Sequence, residues 1–397
     1  MARALITGMG VVSAIGNNVA ENHKNLRAGR TGLKKPQFLQ SKYAELFSFG
    51  EVGLSNAQLF EELQLDDPKG ITRTELLSLK AFREAVAQAG LSPSDLSSVD
   101  TAFISGTTVG GMAETKHLHE DANSNVQPSE FVNSYRSGAH TLRIAKIHGM
   151  SGYTDTINTA CSSAANAILL GARMIRTGRV KRAIVGGVDS LAKYTVNGFN
   201  SLQIFSDELM QPFDQNRKGL NLGEGAGYLV LEAEDIIGDR PILGEVSGYG
   251  NANDAHHPSA MSPDAVGVRG AITRALKSAS LDASKIDTVN AHGTGTPNND
   301  QTELFGLTKI FETVPPFVST KSYTGHTLAA SGGIEAVYSL LSILNGEVYP
   351  SLNFNTPMEG FTDAPNTELL ENQQIDHVLS NSFGFGGNCT SLILSKA

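Results

Sequence analysis

Cys161, His292 and His326 are the residues of this sequence best suited to covalent chemistry: one thiol nucleophile and two imidazoles able to move a proton or hold a developing charge. Cys161 follows the β-prone stretch Ile157-Asn158-Thr159-Ala160 and opens the small-residue segment Ser162-Ser163-Ala164-Ala165-Asn166-Ala167, which reads as the start of a helix. A thiol at a helix N-terminus faces unpaired N–H groups and the positive end of the dipole, so the thiolate is expected to be favoured. Bringing a cysteine from about 8.5 to near 7 takes roughly 2 kcal/mol, the upper limit of what a helix end supplies. A second polar partner, such as a histidine, is therefore expected.

His292 lies in Asn290-Ala291-His292-Gly293-Thr294-Gly295-Thr296, at the end of an apolar strand pattern, and His326 ends the polar loop Ser319–Gly325 just before a small-residue helix. Taken singly, the cysteine reads as inert core and each histidine as a satisfied loop residue. Taken together, all three stand where a strand meets a helix or tight turn, and that shared placement reverses the balance. The run Asn381-Ser382-Phe383-Gly384-Phe385-Gly386-Gly387 is the third informative segment. Its glycines allow close backbone approach, and its N–H groups suit an oxyanion hole. The interleaved Phe383 and Phe385 fit a bare hairpin turn less well. No GxxxxGK[ST] or strand-adjacent GxGxxG motif is present, which demotes nucleotide chemistry.

The elements that must position these groups are those of a large α/β protein. With 397 residues, 40% hydrophobic and 18% charged, the chain can bury a sizeable core. A formal charge of −9 argues against nucleic-acid binding. The opening Ala4-Leu5-Ile6-Thr7-Gly8 is expected to be a strand entering a glycine turn, and no run of about 18 apolar residues suggests a membrane span. Two cysteines, Cys161 and Cys389, are too few for a disulfide framework, so a reducing cytoplasm is expected, with Cys389 in the core of a final strand.

The order helix, short loop, Asp-Thr strand, Gly-Thr turn occurs twice, over 80–107 and again over 268–294. A second echo pairs the helix after Cys161 with the helix after His326. Two βα-rich copies are implied, residues 1–240 and 241–397, joined near Asp239-Arg240-Pro241 and sharing one core.

Thr159-Ala160-Cys161-Ser162-Ser163, Asn290–Asp300, Lys321–His326 and Asn381–Gly387, in this order, make the chain resemble the elongating β-ketoacyl-acyl-carrier-protein synthases along essentially its whole length. The resemblance implies a thiolase fold, two similar halves in five αβαβα layers, usually dimeric. It implies an acyl chain held on Cys161 as a thioester, with His292 and His326 stabilising the enolate formed as a malonyl thioester loses CO₂. Backbone N–H groups of Cys161 and Phe385 would hold the oxyanion, and the Phe385 ring would gate the site. Lys321 and Glu335 would pair and orient His326, with Asp300 and Glu303 as supporting acids near His292. Thr294 and Thr296 would bind the pantetheine arm, while Val109, Met112 and Phe199 would line the acyl pocket. The substrates ride on the phosphopantetheine of an acyl-carrier protein, so no separate cofactor is implied. No metal is assigned either, although Asn290, Glu335, Asn381 and Ser382 match positions that surround a monovalent cation in some relatives.

The partners implied are the carrier protein and a second subunit, either another copy or a paralogue of the chain-length-factor type. A chain-length factor lacks the nucleophile, which Cys161 supplies here. A thiolase would need a second cysteine for one histidine's work, and Cys389 alternates like a strand residue. The segment Ile71–Phe82 carries fewer cations than relatives that dock a fatty-acid carrier. It predicts an apolar docking face of Leu76 and Leu77 flanked by Arg73 and Lys80. The cluster Arg173, Arg176, Arg179, Lys181 and Arg182 is expected to cap the far end of the Cys161 helix.

Overall fold

The computed structural model describes residues 2–124 and 127–397. Ten strands form one continuous sheet: β1 (Ala4–Ser13), β2 (Thr101–Gly106), β3 (Thr154–Ile157), β4 (Arg182–Asp189), β5 (Gly225–Ala233), β6 (Gly244–Asn253), β7 (Thr288–Asn290), β8 (Phe317–Val318), β9 (His377–Gly384) and β10 (Asn388–Ser395). From the centre outwards one side runs β1-β5-β4-β2-β3 and the other β6-β10-β9-β7-β8, so the second five strands repeat the order of the first. The directions repeat as well: in each set the two inner pairings are antiparallel and the two outer ones parallel. The halves join where Leu5 pairs with Glu245 and Ile6 with Gly244.

Six of the helices place the site: α1 (Arg73–Gln88), α2 (Ser163–Arg176), α3 (Lys193–Ser201), α4 (Val266–Ala279), α5 (Pro297–Ile310) and α6 (Ser331–Asn345). Helix α1 covers the outer face of β1 and β5, and α4 covers β6 and β10. Helices α2 and α6 touch each other between the half-sheets, α6 reaching β5 on one side and β9 on the other. The layers are therefore αβαβα, the thiolase architecture.

Contrary to the expected turn at Gly8, β1 runs straight through Gly8 and Gly10. Their role is close approach. A Cβ on Gly8 would stand 2.3 Å from the Ala85 carbonyl oxygen of α1, and one on Gly10 2.1 Å from that of Ala81. Gly248 and Gly250 of β6 repeat the device, at 2.6 Å from the Ala275 and 2.1 Å from the Ala271 carbonyl oxygens of α4. The stretch Leu328–Asn345 is apolar and long enough to cross a membrane, a segment the composition reading overlooked. It is 89% buried here, which makes it the core helix between two sheets.

Candidate active site

Cys161 lies two residues ahead of α2, after Ala160, whose backbone is left-handed (φ 53°). That conformation is unfavourable for a residue with a Cβ. It turns the chain sharply from β3 and aims Cys161 into the interior, where the side chain is buried. His326 Nε2 stands 3.0 Å from Cys161 Sγ. Contrary to the expectation of a favoured thiolate, burial pushes the thiol up to about 12. Lys321 and the N–H groups of Phe385 and Cys161 act against that rise, whereas the nearby Asp189 carboxylate adds to it. Desolvation outweighs the helix end because Cys161 precedes the helix cap and its side chain is buried. Burial thus favours the neutral thiol, with the His326 ring nitrogen within hydrogen-bond reach.

Each histidine is held by its own turn. His326 Nδ1 is 3.1 Å from Ser331 Oγ, the first residue of α6, which fixes the ring. The His292 and Gly293 N–H groups donate to Glu303 of α5 at 2.9 and 2.8 Å, and Asn381 Nδ2 donates to the same carboxyl. Burial raises the Glu303 carboxyl to about 7. Asp300 accepts from the N–H groups of Thr294, Gly295 and Phe213. Both acids therefore act on the backbone that carries His292 and the two threonines rather than on an imidazole. Lys321 and Glu335 form a buried ion pair, and burial, reinforced by the Lys321 charge, holds both histidines well below their ordinary range. Glu335 Oε2 and Ser382 Oγ are buried without a hydrogen-bond partner. Among the described residues no group of three or more His, Cys, Asp or Glu side chains could hold a metal ion.

Phe385-Gly386-Gly387 is the turn of the β9–β10 hairpin. The glycine run is thus a hairpin turn, and its N–H groups remain the candidate oxyanion donors. Gly384 sits so near the nucleophile turn that a Cβ there would be 2.5 Å from the Thr159 carbonyl oxygen and 3.2 Å from the Cys161 nitrogen. At the foot of the turn, Asn388 Oδ1 accepts from Ser162 Oγ (2.8 Å), Asn166 Nδ2 (3.0 Å) and Asn251 Nδ2 (2.9 Å). This hub ties the residue after Cys161 to the strand that follows the glycine turn.

A cavity of about 310 Å³ joins Cys161, His292, His326, Thr294, Thr296 and Phe385. Such a site, with a thiol and two imidazoles at the end of a pocket lined mostly by apolar groups, suits an acyl thioester. Residues 1–235 match the N-terminal domain of β-ketoacyl synthases and residues 243–355 the C-terminal domain. The chain belongs to the β-ketoacyl synthase family. A 3-oxoacyl-[acyl-carrier-protein] synthase 2 of Staphylococcus aureus is 31% identical, the alignment covering 99% of this chain and 98% of that protein. The synthase of the same description from Synechocystis is 32% identical with the same coverage. Among solved structures, one described as the ishigamide ketosynthase/chain length factor superposes with a TM-score of 0.93 at 30% identity, covering 100% of this chain and 99% of that one. A ketosynthase in complex with its chain length factor from Xenorhabdus doucetiae gives 0.86 at 31%, covering 100% and 98%.

Several expected positions of this ketosynthase differ from the structure. Phe199 of α3 lines the cavity and stacks on Phe385 at 5.8 Å between centroids. Val109 is not in the cavity wall but directly behind it, buried in a cluster with Leu191, Val196 and the wall residue Leu220, against which Phe199 and Ile204 pack; half-buried Met112 is not in the wall either. Both stacked rings belong to the cavity wall. The docking face expected on α1 is also absent, because Leu76 and Leu77 are 1% and 0% exposed. Arg73 is spent on the buried Glu224, and Lys80 pairs with Glu62. In the basic cluster, Arg176 reaches the Val246 and Ser247 carbonyls and Arg182 pairs with Glu232, so these charges join the halves and the strands rather than only capping α2. Sequence reasoning missed Leu202, Ile204, Asn298 and Asn299 in the cavity wall, and Ser331 behind His326. Ser331 alone had a signal, as a hydroxyl one helical turn beyond a candidate histidine.

Proposed function

We propose that this protein is a 3-oxoacyl-[acyl-carrier-protein] synthase that performs decarboxylative Claisen condensation. What carries the reading is the 3.0 Å approach of His326 to Cys161 in a cavity that also holds His292. Cys161 Sγ attacks the thioester of an acyl-carrier protein, its proton passing towards His326. The carbonyl oxygen, negative in the tetrahedral intermediate, is held by the N–H groups of Cys161 and Phe385. The carrier thiol leaves with a proton, and the acyl group stays on sulfur. A malonyl-carrier then binds along Thr294 and Thr296, whose hydroxyls are 2.8 Å apart at the cavity wall. The C–C bond to its carboxylate breaks, CO₂ leaves, and the neutral imidazoles of His292 and His326 donate to the enolate oxygen. The enolate carbon attacks the acyl-sulfur carbonyl, the C–S bond breaks, and 3-oxoacyl-carrier departs as the Cys161 thiolate takes up one proton from solvent, the proton that decarboxylation consumes.

Residues 1–240 and 241–397 form the two halves of this enzyme, a division supported by the repeated strand order. The reaction takes place in the cytoplasm, a reading supported by two buried free thiols. Its partners are an acyl-carrier protein and a second subunit, another copy or a chain-length-factor-like paralogue; the ketosynthases named above with chain length factors support the latter. The alternative, that this chain is itself the non-catalytic partner, is opposed by the assembled Cys161–His326 pair. Intact-protein mass after incubation with acyl-carrier should show acylation of the wild type and none of Cys161→Ala. Cys161→Gln should release CO₂ from malonyl-carrier without forming 3-oxo product. Acylation of Cys161→Ala, or no CO₂ from the wild type, would overturn the proposal.

A further inference from the structure

The turn that carries Cys161 has a counterpart in the second half. Thr159-Ala160-Cys161-Ser162-Ser163 leads into α2, and Thr327-Leu328-Ala329-Ala330-Ser331 leads into α6. In both, the residue three before the helix is left-handed, Ala160 at φ 53° and Leu328 at φ 54°. Both turns also begin with threonine and end with serine. Ala329 therefore occupies in the second half the place of Cys161 in the first, and its N–H is the counterpart of the Cys161 N–H.

The strand ends facing the two turns differ in one respect. Gly384, the last residue of β9, lies against the Cys161 nitrogen and has no side chain to fill the space. Asp189, the last residue of β4, has a fully buried carboxylate there, and its Oδ2 accepts from the Ala329 N–H at 2.9 Å. The same carboxylate accepts from Thr107 Oγ1 at 2.7 Å, from the Thr108 N–H and hydroxyl, and from the Val109 N–H at 3.0 Å. No lysine, arginine or histidine forms an ion pair with it among the described residues. A buried charge held by hydrogen-bond donors alone is the environment of an oxyanion.

We infer that Asp189 is a positioning residue whose carboxylate permanently fills the second half's counterpart of the oxyanion hole and thereby fixes the segment that carries His326. Ala329 is three residues beyond His326, and Val109 and Thr108 belong to the turn after β2. One carboxylate thus locks the His326 segment to the first half, while the open hole beside Cys161 stays free for substrate.

The test is chemical rescue. Asp189→Ala removes a carboxylate and leaves a space that formate can refill. Release of CO₂ from malonyl-carrier should fall on the order of 10²-fold through misplacement of His326, with KM little changed. Sodium formate, compared with sodium chloride at equal ionic strength, should restore the rate saturably and raise the Tm of this variant but not of the wild type. Asp189→Asn, isosteric but presenting N–H to N–H at Ala329 or Thr108, should be impaired and unresponsive to formate. Wild-type rates in Asp189→Ala, a loss that formate leaves untouched, or equal rescue of Asp189→Asn would each overturn the inference. If Asp189→Ala is insoluble, refolding with formate against chloride gives the same reading: formate-specific recovery supports it, and equal failure overturns it. The CO₂ readout rests on the proposed reaction, whereas the formate-dependent Tm shift does not. A wild type that releases no CO₂, alongside a formate-stabilised variant, would sink the reaction and leave the filled hole standing.

Discussion

The rings of His292 and His326 meet edge to face, with centroids 5.3 Å apart and planes at 86°. Two positive imidazoliums at that separation, beside the Lys321 charge, would repel each other, and burial opposes charging either one. In the proposed condensation the pair would therefore act as two neutral donors converging on one oxygen.

A shared oxygen predicts shared losses. His292→Ala and His326→Ala should each lower condensation by roughly 10²–10³-fold, the usual cost of one oxyanion donor. The double variant should fall far short of the product of the single losses. Single-turnover rates of the three variants test this, and fully multiplicative losses would place the rings on separate steps.

The Asn388 hub predicts a different split. Asn388→Leu leaves the donors of Ser162, Asn166 and Asn251 without their common acceptor and loosens the glycine turn from the nucleophile. Acyl transfer to Cys161, which needs the Phe385 N–H, should slow about tenfold or more. Decarboxylation by the histidines should change little, and Asn388→Asp, which keeps the acceptor, should retain most of the acylation rate. Equal slowing of both steps in burst kinetics would reduce the hub to packing.

His140 carries a prediction about acid. It is buried with Nε2 at 2.8 Å from Ser105 Oγ, and burial lowers it from the ordinary 6.5 to about 4. Above pH 6.5 folded and unfolded chains are both neutral at this site, and its contribution is fully present. As pH falls from 6.5 towards 4 the unfolded chain binds a proton that the folded one refuses, so stability falls by about 3 kcal/mol over that window. Urea unfolding against pH should show a slope smaller by one proton in His140→Asn. An unchanged slope would mean that the site charges without unfolding.

Carrier docking should be nearly insensitive to salt. Among the described residues no lysine, arginine, aspartate or glutamate lines the cavity, and Leu202 and Phe385 on its wall are 48% and 38% exposed. Exposed charges elsewhere are screened beyond about 8 Å at physiological ionic strength. Leu202→Asp should raise the KM for the carrier about tenfold, as loss of an apolar anchor does, while kcat holds. A KM that climbs steeply with salt in the wild type would indicate a basic docking patch.

The reactive groups were legible because their chemistry is local: a thiol at a strand–helix junction, one imidazole at a strand end, another closing a polar loop before a helix, and a glycine run announce themselves by type. The repeat was legible for the same reason, in the Asp-Thr strands and Gly-Thr turns. Signs and faces were not. Whether the Cys161 proton is held tightly or loosely depends on how completely water is excluded, which burial by both halves decides. Leu76 and Leu77 looked available for docking because an isolated helix cannot report which side a sheet will cover. Val109 matches an apolar pocket position by type, yet the wall residues Leu220, Phe199 and Ile204 stand between it and the cavity. Asp189 carried no motif at all; its meaning comes from the alignment of two turns 168 positions apart in numbering, from Ala160 to Leu328.

Helix α6 has a consequence for synthesis of the protein. It is apolar enough to pass for a membrane span, and β9 and β10, which cover part of it, are translated after it. By then β1, β4, β5 and α2, which supply most of its packing, are already made, so the nascent chain can begin to bury this apolar segment before β9 and β10 arrive to close the remaining face.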